Sequence, residues 1–210
     1  MIPPAVFTSA AAAFTITLFF VHSIINAQAK NARLAAINTV AQAEDFITLN
    51  PKLEGKLFEI ESKTDTAEIL LPLYGKRAGY TFRIDDLSYK IISIDSFLAF
   101  RVSYIYLSGE EYSKHEADSL RGEIILKYLN GTSFPELAIQ YNMDGNITGD
   151  TKWFPEKMMV RDFEAAVKQH KKNDIFTVDT PAQNWYHVVL KTYDDTIIKK
   201  LKIIKIKSGN

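Results

Sequence analysis

The sequence contains no cysteine. That excludes a disulfide framework, thiolate metal sites and a cysteine nucleophile, but leaves the compartment open. Glycine and proline are scarce, 9 and 7 among 210 residues, while 47% of residues are hydrophobic. A collagen-like, low-complexity or disordered chain is therefore excluded. Net charge is also missing, with 25 basic residues against 25 acidic ones. Binding to a phosphate backbone needs a basic surface, so nucleic acid is not expected as a partner. One further absence is local. Residues 1–29 hold no Asp, Glu, Lys or Arg, so every charge lies in residues 30–210. An apolar leader precedes a soluble body long enough to bury a core.

Two readings of the leader compete. A membrane anchor needs about 20 apolar residues, and residues 5–26 supply about that length. A signal peptide needs a shorter apolar centre followed by small residues. Phe14 to Ile25 fits that centre, and Ala27-Gln28-Ala29 gives an A-x-A cleavage site before Lys30. Ser23, Asn26 and Gln28 suit cleavage better than anchoring, whereas Met1-Ile2-Pro3-Pro4 lacks the usual basic start. Both readings place the body outside the cytoplasm; a buried soluble helix is the third reading.

Within the body, Leu34, Ile37, Val40 and Phe46 recur at helical spacing, predicting a helix over 30–48 that stops at Asn50-Pro51. Residues 56–107 switch to period-two patterning, and two β-hairpins are expected. The first pairs 57–60 with 67–71; the second pairs 80–84 with 89–94. From residue 101 the order is strand, helix 113–129, a short helix capped by Ser133, a polar loop 142–152, helix 161–171, and strands at 174–178 and 185–192. That is an α+β domain of mixed helices and sheet. Residues 197–207 carry five lysines among Ile and Leu. The alternation reads as an edge strand guarded by lysine, or as a strand added to a partner or to the 56–107 region. Contact with anionic membrane is a third reading.

Five segments in this order carry a resemblance. Arg101-Val102-Ser103-Tyr104-Ile105 resembles a first strand, and Gly131-Thr132-Ser133-Phe134-Pro135-Glu136-Leu137-Ala138 a G-x-x-F-x-x-L-A helix entry. Gly149-Asp150-Thr151-Lys152-Trp153-Phe154 resembles a G-D-L-G-x-F turn, and Met158 to Ala166 an M-x-x-x-F-E-x-A helix start. Trp185-Tyr186-His187-Val188-Val189 resembles a closing G-x-H-I-I strand. Together they are similar to the parvulin-type peptidyl-prolyl cis/trans isomerases, in the branch of extracytoplasmic folding factors. The resemblance covers about residues 100–193. It implies an antiparallel sheet packed by three to four helices, preceded by a small helix and β-hairpin region. The expected domains are 1–29 (leader), 30–98, 99–194 (isomerase) and 195–210 (Lys-rich strand).

The same resemblance implies the site. Met159, Phe163 and Thr151 would form the proline pocket, with Thr151 where the family usually has Leu. Read without the resemblance, Met159 and Phe163 are ordinary core residues. His187 matches the second of two family histidines, and Tyr104 stands in place of the first, so a Tyr104 hydroxyl donating to His187 is conceivable. Asp144 matches a Cys or Asp near the substrate carbonyl, although Asp144-Gly145 is also a good turn dipeptide. Asn184 replaces a hydroxyl residue and Trp185 a glycine. The implied chemistry needs no cofactor and no metal. Proline-containing polypeptides are the expected clients. Two functions stay open: an isomerase acting on exported proteins, or a weak or inactive module serving as chaperone or subunit of a cell-envelope complex. No nucleophile elbow, phosphate loop or metal-ligand spacing offers a competitor.

Overall fold

The computed structural model describes residues 34–68 and 70–207; the expected leader lies outside them. In chain order the helices are α1 (Val40–Leu49), α2 (Lys114–Leu129), α3 (Phe134–Tyr141) and α4 (Arg161–Gln169). The strands are β1 (Lys56–Glu61), β2 (Thr81–Ile84), β3 (Leu87–Phe100), β4 (Ser103–Ser108), β5 (Phe154–Pro155), β6 (Ile175–Thr180), β7 (Trp185–Leu190) and β8 (Thr196–Lys207). The described residues form two compact units, one from residues up to 95 together with those from 199 on, the other from residues 96–198.

In the first unit α1 begins later than its apolar spacing predicts. Thr39 closes a capping box with Gln42, whose side chain accepts from the Thr39 N–H at 3.2 Å. That reciprocal cap satisfies two orphan donors and sets the start at Val40. Residues 34–36 are helical and are parted from α1 by residues 37–39. Ala43 then packs with Leu34, Ile37, Ile92, Ile204 and Ile206. Asn50 Nδ2 donates to the Phe46 carbonyl at 2.8 Å and Pro51 ends the helix.

The sheet of this unit has the order β1-β8-β3-β2. The second expected hairpin is present. Thr81 pairs with Lys90 and Ile84 with Leu87 around Asp85-Asp86, with Asp85 in the left-handed region. The first expected hairpin is absent among the described residues. Asp65 turns the chain sharply, its carboxylate accepting from the Glu61 N–H at 2.6 Å. Pro72, which has no N–H for a ladder, then sits in a 3₁₀ turn over Leu71–Gly75. That turn buries Leu73 with Ile60, Ile91, Leu201 and Ile203.

The partner of β1 is instead β8, antiparallel, with Glu59 opposite Lys202 and Glu61 opposite Lys200. The expected edge strand is thus an interior one, and pairing with the 56–107 region is the alternative that holds. Among the described residues, three of its five lysines are ion-paired. Lys202 reaches Glu59 at 3.0 Å, Lys200 reaches Glu61 at 2.9 Å, and Lys207 reaches Glu54 at 3.0 Å.

The second unit is built on the three-stranded sheet β4-β7-β6, with β7 central. Alternation along these strands creates two apolar faces. Ile105, Leu107, Val188 and Leu190 face α2 and α3, packing on Ala117, Ile124, Phe134 and Leu137. Val102, Val178 and Val189 occupy the other face, packing on Phe154 and on Phe163 and Val167 of α4. Capping boxes at Ser113 with Glu116 and Ser133 with Glu136 start α2 and α3 where expected. Each such cap contributes about 1 kcal/mol. Among the described residues no helix is long and apolar enough to cross a membrane.

Candidate active site

Alternation on β4 and β7 places Tyr104 and His187 on the α4 face of the second sheet. The register sets Tyr104 opposite Val189, and His187 opposite Tyr106 and Val178. The loop from Asn142 to Lys152 is laced to the free side of β4. Asn142 Oδ1 accepts from the Tyr106 N–H at 2.8 Å, and the Tyr104 N–H donates to the Gly149 carbonyl at 2.8 Å. The Thr151 N–H donates to the Val102 carbonyl at 3.0 Å. Gly149 is required here. Its φ is +65°, and a Cβ would lie 2.5 Å from the Tyr104 carbonyl oxygen. Arg101 locks the end of the loop by a two-pronged bond to Asp150, at 2.9 and 2.7 Å.

Between this loop, the sheet and the start of α4 lies a cavity of about 490 Å³. Seven of the eight residues expected at the site line it: Tyr104, Asp144, Thr151, Met159, Phe163, Trp185 and His187. Asn184 does not. It adopts a left-handed conformation at the end of the 3₁₀ turn Pro181–Gln183. Its amide packs on Gly109 and accepts from the Tyr186 hydroxyl at 3.0 Å.

The apolar wall is Met159, Val160 and Phe163, with the Tyr104 and Phe163 rings edge to face and their centres 6.1 Å apart. Thr151 adds less polarity than its hydroxyl suggests. That oxygen accepts from the Val102 N–H at 3.1 Å, and its proton is directed at the Val102 or Lys152 carbonyl. Trp185 lines the cavity rather than closing it, standing edge-on to Tyr106 at 5.9 Å.

The polar wall is not a Tyr–His pair. The Tyr104 hydroxyl donates to the Asp144 carboxylate and accepts from Asn146 Nδ2 at 3.4 Å. Burial, together with the neighbouring Asp144 carboxylate, pushes the Tyr104 phenol up to about 12. His187 lies apart. It is 6% exposed and its Nδ1 has no hydrogen-bond partner among the described residues. Burial pushes its imidazole down to about 4, against partial opposition from the Val178 backbone and Asp144. His187 is therefore a neutral ring at pH 7.

Five lining residues were not expected at the site: Tyr106, Asn146, Asp150, Met158 and Val160. Asn146 stood in a sequon, Asn146-Ile147-Thr148, with no other signal. It ties the loop together, donating its backbone N–H to Asp144 at 2.9 Å and its amide to the Asp150 carbonyl at 3.2 Å. Among the described residues no group of three or more His, Asp and Glu could hold a metal ion.

Comparison with known proteins returns the same domain. The chain matches the PPIC-type PPIase domain over residues 89–193. Among solved structures it is similar to the peptidylprolyl isomerase PrsA of Bacillus anthracis. That match has 28% identity and a TM-score of 0.38, covering 48% of this chain and 43% of that one. PrsA of Bacillus cereus matches at 25% identity and a TM-score of 0.37, covering 47% of this chain and 36% of that one. A structure from Campylobacter jejuni, described as one of two SurA-like chaperones, matches at 18% identity and a TM-score of 0.38. It covers 89% of this chain and 56% of that one. The chain thus spans under half the length of the two PrsA structures. No curated protein matches significantly. The family model covers half of the chain, and the chain belongs to the PPIC-type, or parvulin, family of peptidyl-prolyl cis/trans isomerase domains.

Proposed function

We propose that this protein binds proline-containing polypeptides in the cavity of its second unit and isomerises their X-Pro bonds, acting as a folding factor on exported proteins. The observation that carries the reading is the convergence of Met159 and Phe163 with Tyr104, Asp144 and His187 around one cavity. The reaction makes no covalent bond. It crosses a barrier of about 18–20 kcal/mol in which the amide loses conjugation. A wall that holds the proline ring while the carbonyl rotates against polar groups favours the twisted state over both planar ones. Moving the reaction from about a hundred seconds to milliseconds needs roughly 7 kcal/mol of such preference, at about 1.4 kcal/mol per tenfold gain. Met159 and Phe163 supply the ring contact. Tyr104 and Asp144 supply a hydrogen-bonded pair beside it. His187 lines the cavity as a neutral, largely buried ring.

A second reading is supported by one specific feature. Tyr104 is engaged with Asp144, so it forms no side-chain pair with His187, whose ring bonds the Val178 backbone instead. A less preorganised polar wall suits a chaperone or complex subunit that holds proline segments without fast turnover. Action outside the cytoplasm rests on the charge-free, apolar residues 1–29.

Exchange spectroscopy on a proline peptide, with the full chain added, tests these readings. Accelerated cis/trans exchange supports the enzyme. Binding without acceleration supports the holding module. Neither result overturns both.

A further inference from the structure

The charges around the cavity are unevenly matched. Asp150 has two cations: Arg101 at 2.7 Å and Lys152 at 2.9 Å, neither of which lines the cavity. Asp144, by contrast, is held only by neutral donors, the Tyr104 hydroxyl and the Asn146 N–H. It is exposed at the cavity wall and makes no ion pair among the described residues. His187 brings no balancing charge, since its imidazole is held neutral by burial. Beside the carboxylate the wall is aromatic. Tyr106 and Trp185 stand edge to face at 5.9 Å, and both line the same cavity.

We propose that this site selects clients with a lysine or arginine next to the proline, the cation lying between the Asp144 carboxylate and the Tyr106–Trp185 faces. The inference rests on the proposed proline-binding role of the cavity and names its substrate class. A carboxylate without a cation partner attracts a positive side chain and repels a negative one. Aromatic faces add attraction for the same cation, and more for arginine than for glutamine or leucine. The geometry permits both contacts at once. Tyr104 touches Phe163 with its ring and Asp144 with its hydroxyl. The proline wall and the carboxylate are thus one side chain apart, a distance that the long flexible stem of a neighbouring lysine or arginine can bridge. Because Asp144 is exposed, the selection is modest and sensitive to salt.

The test measures binding as well as turnover, so that it separates this inference from the one beneath it. Three peptides of the form Ala-Xaa-Pro-Phe, blocked at both ends, carry Lys, Gln or Glu at Xaa. Affinity for the full chain is read by tryptophan fluorescence, and isomerisation by exchange spectroscopy. The lysine peptide is expected to bind about three- to tenfold more tightly than the glutamate peptide at low salt, with glutamine between. That ratio is expected to fall towards one at about 1 M salt, and in Asp144→Asn with its circular dichroism intact. Equal binding of the three, or a preference for glutamate, overturns the selection while leaving the proline site standing. A lysine preference that survives in Asp144→Asn overturns the assignment to Asp144. Selective binding without accelerated exchange supports the selection and removes only the enzyme reading. No binding by any of the three overturns both.

Discussion

The Tyr104 hydroxyl donates a hydrogen bond to Asp144, and His187, whose ring centre lies 6.2 Å from that of Tyr104, has no hydrogen-bond partner for its Nδ1 among the described residues. One polar wall is therefore split into two independent parts. Their separate roles can be measured. Tyr104→Phe removes the donor to Asp144 and keeps the ring against Phe163. Stability is expected to change by about 1 kcal/mol or less, because a part-exposed hydrogen bond contributes about that much. Catalysed exchange is expected to fall about tenfold if the hydroxyl helps the carbonyl turn. An unchanged exchange rate in a folded variant would remove Tyr104 from the mechanism.

His187 makes a prediction about acid. Its folded value of about 4 lies below the ordinary 6.5 because burial disfavours the imidazolium. Between those two values the unfolded chain takes up a proton that the folded chain refuses. Stability is therefore full above pH 6.5, falls as pH falls through this window, and stops falling for this reason below about 4. At 1.36 kcal/mol per unit the loss amounts to about 3 kcal/mol. Urea unfolding at pH 7 and pH 4.5 checks it. In His187→Gln the difference between the two pH values should shrink by about 2–3 kcal/mol; an equal difference in both proteins would contradict the burial argument.

Local signals made much of the second unit legible. Ser113 and Ser133 each precede a Glu by three residues, and both helices start where those caps place them. The spacing of the quoted segments also brought seven residues to one cavity. What could not be read were the long-range choices. Nothing local says that β1 pairs with a strand about 140 residues later rather than with 67–71, since both candidates alternate. Asp65 and Pro72 were the deciding residues, and their effect depends on the turn they jointly make. The Tyr104–Asp144 bond was likewise invisible, because it depends on how loop 142–152 is laced to β4. Asn142, Asn146 and Gly149 do that lacing with backbone and amide bonds that leave no periodic trace.

Gly149 tests the lacing directly. Gly149→Ala forces a Cβ toward the Tyr104 carbonyl at 2.5 Å in a backbone region that favours glycine. The contact is with backbone, which cannot swing aside. A loss of well over 1 kcal/mol is expected, together with weaker peptide binding as the loop carrying Asp144 and Thr151 shifts. A melting temperature within a degree of the parent would show that the loop has room to relax.

The interior place of β8 predicts where the first unit is weakest. Leu201 is fully buried and packs with Ile60, Leu73, Ile91 and Ile203, residues drawn from β1, β3, β8 itself and the 3₁₀ turn. Leu201→Ala removes the branched end of the side chain, a methine and two methyl groups, at the point where these segments meet. Partial collapse of the gap leaves a cost of about 2–5 kcal/mol. An edge strand could fray at one side and give up less, because its outer face has few neighbours to lose. Hydrogen exchange on Leu201→Ala discriminates the two. Amides of β1 and β3 on both sides of β8 should lose protection together. If only β8 and β1 lose it, β8 behaves as an edge and its interior position does not govern the stability of the unit.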